Sequence, residues 1–493
     1  MQQAIKITPQ DTVAVALQPI AAGETITLDK ETLIAATDIP AGHKFALKDM
    51  DVGEPIIKYG FPIGQATAPI PRGSHIHVHN LKTLLSGQLE YTYQPTHPVL
   101  APLPPKTFLG YPREDGRVGV RNELWIIPTV GCINDVARSV TAAAQRLVGG
   151  GVEAVHCFCH PYGCSQLGDD QEDTRRILAN FATHPNAGGV LLMGLGCENS
   201  RIDTITKYMG DYDPKRLRFM VCQDVADEEA EALRLVEELA EQMCGEQRVP
   251  CGADKLVIGM KCGASDGFSG ITANPLVGAF SDLLIAQGGS TIMTEVPEMF
   301  GAETILMNRC PDEAMFDKTV SLINRFKHYF ASNGQPIYEN PSPGNKDGGI
   351  SSLEDKALGC TQKSGSAPVG DVLDYGQKVT RPGLNLLYGP GNDLVSTTAM
   401  SASGAQIVLF TTGRGTPFAT PVPTMKIASN PRIVAQKPDW IDFSAAPILE
   451  GVPREDLALE LLDKVLAVAS GELVSTEKKG WHDFAIFKTG ITL

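Results

Sequence analysis

From Asn122 onward the chain alternates short apolar runs with longer amphipathic stretches, and nothing else in the sequence restricts the fold as strongly. LWIIPTV is followed by DVARSVTAAAQRLV, AVHCFCH by DDQEDTRRILANF, GGVLLMGLG by another helical stretch, and RLRFMVC by EEAEALRLVEELAEQM. Strands separated by helices pair as parallel neighbours through right-handed crossovers. After a break at CGEQRVPCGAD the alternation resumes with LVIGMKC, PLVGAFSDLLIAQ, STIMTEV, DEAMFDKTVSLINRFKHYF, LNLLYGP and IVLFTTG. The expected fold is multidomain α/β: a first Rossmann-like, parallel-sheet domain over 116–250 and a second over 251–493. Within the second, the Gly/Ser/Pro-rich stretch 338–370 reads as a long polar loop with a functional role.

Residues 1–95 follow a different pattern. TVAVALQPI, TITL, IIKYGFPIG and IPRGSHIHVH are short β segments punctuated by Gly and Pro, which predicts a small all-β domain. Six prolines between Pro95 and Pro112 then predict an extended linker over 96–115. A length of 493 residues suits three such units.

The charge balance limits the partners. With 57 acidic against 42 basic side chains and a formal charge of -15, the chain offers no general basic field to nucleic acid or to an anionic membrane. The opening MQQAIKITPQ has no apolar core of a leader, and no apolar run approaches the ~20 residues of a membrane span. A cytoplasmic homo-oligomer acting on a small molecule is expected, with eleven cysteines serving as thiols, core residues or metal ligands.

Ligands of open parallel sheets sit at the carboxyl ends of the strands, so the residues ending each run carry the most information. Cys132, Cys164, Cys197, Cys222 and Cys262 all stand there, and Cys360 lies in the polar stretch. Glycine precedes Cys132, Cys164, Cys197 and Cys360, implying tight backbone at thiols that suit a metal or iron–sulfur site. In GSHIHVHN, His75, His77 and His79 alternate along an expected strand and so share a face. Positions two apart on a strand are about 6.6 Å apart and can share an ion, whereas positions four apart, at about 13 Å, cannot. His43 and Lys44 in AGHKFAL could add a ligand or an anion contact.

The last domain places further polar residues after strands: Ser265 and Asp266, Glu295 and Glu298, Asn392 and Asp393, and Arg414 between two glycines. Arg414 is expected to clamp a carboxylate through its planar fork. Lys44, Lys261, Lys363 and Arg414 would form a basic pocket for an anionic substrate. GLGCEN lacks the third glycine of a dinucleotide fingerprint and no phosphate-binding GxxxxGK[ST] occurs, so NAD is not expected, nor is PLP.

Read together, GRVGVRNELWIIPTVGC, HPYGCSQLGDD, LGCEN, CGASDGFSGITANP, TEVPEMFGAE, YENPSPGN, LEDKALGCTQK and FTTGRGTP resemble the galactarate/altronate dehydratase family, from AGHKFAL to the terminal FAIFKTGITL. The resemblance implies a SAF-like N-terminal β domain fused to α/β domains. It also implies a hydro-lyase that converts D-altronate to 2-dehydro-3-deoxy-D-gluconate in hexuronate catabolism, dependent on Fe2+ or Mn2+. Galactarate or a related aldarate is the alternative substrate, and a non-enzymatic sugar-acid-binding protein the second alternative. Cys132, Cys164, Cys197 and Cys262 resemble positions common to both dehydratases, whereas the HIHVHN histidines and Cys360 resemble the altronate branch.

The reaction needs an acid, a base and a cation to stabilise the enediolate. His43, Lys44, His160, Glu295 and Lys363 are the candidates for catalysis, and Arg414, Asp266, Asn392 and Asp393 for substrate binding. His75, His77 and His79 are the expected metal ligands, with Cys132, Cys164, Cys197, Cys262 and Cys360 as the alternative set and an iron–sulfur cluster left open.

Overall fold

The computed structural model describes residues 3–28, 31–85, 90–337 and 340–490. The first two residues of the expected polar loop, 338–339, and the terminal 491–493 lie outside the described residues. Two parallel sheets form the body of the molecule. The first orders Val155–Cys157, Glu123–Pro128, Ala187–Gly194 and Leu217–Val221 side by side. Every residue of Ala187–Gly194 is buried, as a parallel strand covered by helices on both faces requires.

The second sheet has seven parallel strands, in the order Val369–Leu373, Gly383–Leu387, Ser290–Met293, Val257–Cys262, Ile407–Thr412, Thr424–Ala428 and Phe443–Ser444. Val257–Cys262 lies at its centre, so its carboxyl end opens into the middle of the domain. Helix Ala273–Ala286 covers the sheet and packs on Arg454–Ala469. The terminal segment returns to the first sheet's domain, where the amides of Thr489 and Gly490 each donate to the Asp170 carboxylate at 2.7 Å.

The N-terminal domain is all β, with a four-stranded sheet (Ala4–Ile5, Val13–Ala16, Lys44–Ala46, His75–Ile76), a three-stranded sheet and the hairpin of Thr25–Leu28 with Glu31–Ile34. The proline-rich segment is only partly a linker. Its second half forms the strand Thr107–Pro112, which pairs with Val249–Gly252 and Val118–Gly119 in an antiparallel sheet.

The stretch expected as a polar loop is mostly helical: Pro343–Asp347 and Leu353–Thr361, the latter buried at all nine positions. A helix of sequence LEDKALGCT can be buried throughout only if its charges are paired. Ser352 caps it by accepting from Asp355 N, and Ala357 and Leu358 join the apolar core of the N-terminal domain. Asp355 sits between Lys44 and Lys58 of that domain, 2.9 Å from each, with all three side chains no more than 2% exposed. Glu354 accepts from Thr83 Oγ1 and Leu84 N at 2.9 and 2.7 Å.

Removing one partner of a buried ion pair costs about 3–5 kcal/mol, because the other charge is left without compensation. Asp355→Asn is therefore expected to lower stability by about that amount and to speed proteolytic release of the N-terminal domain, read from urea unfolding and limited digestion.

Candidate active site

A cleft of about 910 Å³ lies where the N-terminal domain meets the last domain, between Leu17, Gln18 and Ala41 on one side and Asp266, Gly348, Arg414 and Asn430 on the other. Arg414 is half-exposed in it. Its Nη1 donates to Gly344 O at 2.7 Å and lies 3.7 Å from Asp347, which leaves most of the guanidinium fork free. Asp266 also lines the cleft but is fully engaged: one oxygen accepts from Ser269 N, Ser269 Oγ and Ser429 Oγ at 2.9–3.0 Å, the other from Asn430 Nδ2 at 2.7 Å. It fixes the loop after Val257–Cys262 and has little capacity left for a ligand.

Behind Ala41 and Asp347 of the cleft wall four imidazoles meet, without themselves lining the cleft. The expected histidine strand stops at Ile76, because Asn80 folds the chain back, accepting from His77 N and donating to His75 O, each at 3.0 Å. The turn brings His79 within 5.5 Å of His75, ring to ring, so the expected separation of about 13 Å does not apply. His43 joins from Pro40–Lys44, with ring centres 5.0 Å from both His75 and His77. His43 Nδ1 and His75 Nε2 stand 2.9 Å apart. The far nitrogens of His43 and His77 face backbone carbonyls, Asp347 O at 3.2 Å and Lys346 O at 2.8 Å.

Burial lowers the pKa of His43 to about 4 and, with the neighbouring histidines, that of His75 to about 3; His77 is lowered by burial too. The rings are thus neutral at pH 7, with lone pairs available. Lys44, expected to act on substrate, is instead held by Asp355 and by Gly349 O, at 2.9 Å each.

Beneath the cleft lies a fully buried charged cluster. Strand Val257–Cys262 delivers Lys261 and Cys262, the turn after Ser290–Met293 delivers Glu295 and Glu298, and Leu353–Ser364 delivers Lys356, Cys360 and Lys363. Cys262 Sγ lies 3.4 Å from Cys360 Sγ, and both are 3.1 Å from Glu298 Oε2. Lys363 Nζ is 2.9 Å from Cys262 Sγ. Lys261 pairs with Glu295 and, at 2.8 Å, with Asp393. Glu295 takes a left-handed backbone, φ 67°, uncommon for a residue with a side chain.

The hydrogen bond from Cys360, with the charges of Lys363 and Lys356, draws Cys262 down to about 5 against the effect of burial. Burial would raise Glu298, but Lys356, Lys261 and Lys363 hold it well below the usual carboxylate range. Burial, reinforced by Cys262 and Glu298, pushes Glu295 well above that range. Among the described residues, Cys262, Glu298 and Cys360 are the only three metal-ligating side chains whose donor atoms all lie within 4.8 Å of one another, so they could hold a metal ion.

Other candidates lie elsewhere. Asn392 caps helix Asp393–Ala402, accepting from Leu394 N and Val395 N. His160 is buried in the first α/β domain, with Nε2 on Pro128 O at 2.8 Å and Nδ1 accepting from Tyr162 N at 3.2 Å, so neither nitrogen is free. Cys132, Cys164 and Cys197 stand at the edge of the first parallel sheet, in a different domain from Cys262 and Cys360. Lys58, Asp355 and Lys356 were not anticipated; the only trace of them in the sequence is the density of charge in LEDK, within a stretch otherwise rich in glycine and serine.

Residues 2–84 match the family described as the altronate/galactarate dehydratase SAF domain, 110–244 the second domain of D-galactarate dehydratase/altronate hydrolase, and 253–492 the D-galactarate/altronate dehydratase C-terminal domain. Altronate dehydratase of Bacillus subtilis (strain 168) is 52% identical over 499 residues, and that of Escherichia coli (strain K12) 49% over 494, each covering all of both chains. The chain belongs to the galactarate/altronate dehydratase family. Galactarate dehydratase (L-threo-forming) of Escherichia coli is a more distant relative, 34% identical over 470 residues, or 91% of this chain and 90% of that one. The expected N-terminal SAF domain and the α/β architecture behind it are both present.

The neutral histidines have a consequence for stability. Between their folded values of about 4 and 3 and the unfolded value of 6.5, the unfolded chain binds protons that the folded chain does not, so stability rises with pH through this window. Metal-free protein is expected to lose resistance to urea between pH 7 and pH 5, with a shallower dependence in His43→Gln.

Proposed function

We propose that the chain is an altronate dehydratase, a hydro-lyase that removes water from D-altronate to give 2-dehydro-3-deoxy-D-gluconate in hexuronate catabolism. The observation that carries this reading is the identity of about half of all positions to two altronate dehydratases over the whole length of each. Among the described residues no helix is long and apolar enough to cross a membrane, which agrees with a cytoplasmic enzyme for a small sugar acid. We further expect it to work as a homo-oligomer.

The cleft and the histidines behind its wall supply the groups this reaction requires. Arg414 presents a planar fork that takes the substrate carboxylate through two parallel hydrogen bonds. Loss of water from C2 and C3 then needs a base for the C2 proton, and His77, neutral and held through Nε2 on Lys346 O, keeps Nδ1 as the acceptor.

The residues fit a divalent metal at the histidines better than at the thiols. Two cis ligands of an octahedral ion with bonds of about 2.1 Å lie about 3.0 Å apart, close to the 2.9 Å between His43 Nδ1 and His75 Nε2. The carbonyl holding the far nitrogen of His43 is the outer contact that orients a ligating imidazole. In the buried cluster, by contrast, the ammonium groups of Lys261, Lys356 and Lys363 already face Asp393, Glu298 and Cys262, so the donors there are each engaged by a fixed cation. Fe2+ or Mn2+, once bound at the imidazoles, would stabilise the negative charge that develops on the substrate as the C2 proton leaves.

Altronate with Fe2+ or Mn2+ is expected to yield a 2-keto-3-deoxy acid in a keto-acid assay, and faster than galactarate; the reverse order would move the chain to the galactarate branch. Arg414→Lys keeps the charge but loses the fork, and a charge-assisted hydrogen bond of about 1.5–3 kcal/mol corresponds to a 10- to 100-fold rise in KM. His43→Ala and His75→Ala should lose bound metal by direct analysis while Cys262→Ser retains it; the opposite pattern would place the ion in the buried cluster.

A further inference from the structure

Cys132, Cys164 and Cys197 belong neither to the cleft nor to the buried cluster. They stand on three loops at the carboxyl edge of the first parallel sheet, directly after Gly131, Gly163 and Gly196. The loops are tied to one another. Gly131 N donates to Tyr162 O and Ser200 N to Gly163 O, both at 2.9 Å. Thr129 Oγ1 donates at 2.7 Å to Glu198, whose carboxylate also accepts from Leu195 N and Gly196 N at 3.2 and 2.6 Å. Gly163, at φ 104°, passes so close to the first loop that a Cβ on it would stand 2.0 Å from Thr129 O, so only glycine brings the second loop this near. Cys164 Sγ lies 3.2 Å from Asn199 Oδ1, two residues beyond Cys197.

All three cysteines are free, and Cys132 and Cys197 are exposed. Ser200, on the third loop, is wholly buried and its hydroxyl has no partner. The buried Nε of Arg175 also lacks a partner, although Nη2 of the same side chain donates to Asn199 O at 2.7 Å. Two donors without acceptors, one on the third loop and one on a side chain bonded to it, thus accompany the three free cysteines.

We propose that Cys132, Cys164 and Cys197 hold an iron–sulfur cluster. Thiolates are the ligands of such clusters and select soft metals over the hard cations that carboxylates prefer. A single ion held by all three cysteines would need their sulfurs within a few ångströms of one another, and Cys132, Cys164 and Cys197 do not form so tight a group. A polynuclear cluster binds each thiolate to a different iron and so accepts the wider spacing of three separate loops. Its sulfurs accept hydrogen bonds, which gives the unpaired hydroxyl of Ser200 and Nε of Arg175 their acceptors. Three protein thiolates leave one iron of a four-iron cluster open to a ligand from solution. This site does not depend on the altronate reading, and it is separate from the histidine site proposed for Fe2+ or Mn2+.

The full-length protein, purified without oxygen and reconstituted with ferrous iron and sulfide, is expected to carry iron and acid-labile sulfide in equal amounts, with a broad visible absorption that bleaches on reduction. Cys132→Ser, Cys164→Ser and Cys197→Ser should each lose the sulfide and the absorption with unchanged circular dichroism, whereas Cys244→Ser and Cys251→Ser keep both. In the unaltered chain, Cys132 and Cys197 should resist alkylation until iron is chelated, a measurement that does not rely on the variants folding. Absence of labile sulfide after reconstitution, absorption that survives all three serine variants, or alkylation unaffected by chelation would each overturn the proposal. Iron without sulfide that is lost in His43→Ala but kept in the three serine variants would also overturn it, while leaving the histidine site standing.

Discussion

One carboxylate shared by two lysines holds the site together. Asp355 lies between Lys44 and Lys58 at 2.9 Å from each, out of contact with water, and these lysines come from the N-terminal β domain while the aspartate comes from the last domain. Both lysines lower its pKa against the opposing effect of burial. Its contribution to docking is therefore present above the unfolded carboxylate value near 3.8 and is lost only as pH falls well below that. Helix Leu353–Thr361 can be buried on every side because its charges are answered in several directions at once: Glu354 by Thr83 and Leu84, Asp355 by the two lysines, and Lys356 by Glu298. The same nine residues carry Cys360 to Cys262. Docking of the β domain, the back of the cleft and the depressed thiol pKa thus depend on one short helix.

Burial sorts the ionisable groups into two kinds. In the cluster beneath the cleft, opposite charges are matched closely enough that Lys261, Lys356 and Lys363 all stay protonated, their pKa values raised by the facing anions despite burial. Around the histidines there is no such matching, and burial leaves the rings neutral. A neutral imidazole is a metal ligand and a proton acceptor, whereas a protonated lysine fixed between carboxylates is neither. Lys44 and Lys363, expected to act on substrate, are each bonded to a fixed partner, Asp355 and Cys262.

The parallel sheets were legible because their inner strands are continuous apolar runs between helices. Thr424–Ala428 was missed, since Thr and Lys interrupt it, yet it is buried at all five positions and Lys426 lies over the Phe410 ring at 3.5 Å. The stretch 338–370 misled because glycine, serine and charge are local signs of a loop. Its helices are stabilised by partners some 300 positions away, Lys44 and Lys58, and local pattern carries no trace of them. The histidine row was legible as a cluster but not as a geometry: alternation predicts a strand, and the turn made by Asn80 folds it instead. That the strand-end cysteines divide between two domains was legible in the domain bounds, since Cys132, Cys164 and Cys197 precede residue 250 and Cys262 and Cys360 follow it.

The β domain and the last domain meet at the candidate site. His43, His75, His77 and His79 come from one, and Arg414, Asp347 and the carbonyls of Lys346 and Asp347 from the other. Neither half alone brings imidazoles to Asp347, the residue that Arg414 also approaches. A site divided in this way exists only for the fraction of time that the two surfaces are joined, so its occupancy follows the free energy of docking. Carrying both halves on one chain replaces a bimolecular encounter with an effective concentration in the millimolar range for a short connection. Prolines 95 to 105 stiffen that connection, and strand Thr107–Pro112 anchors its far end in a sheet with Val249–Gly252. The buried pairs of Asp355 then need to supply only the remaining specificity of register, which is what fixed opposite charges in a dry interface provide.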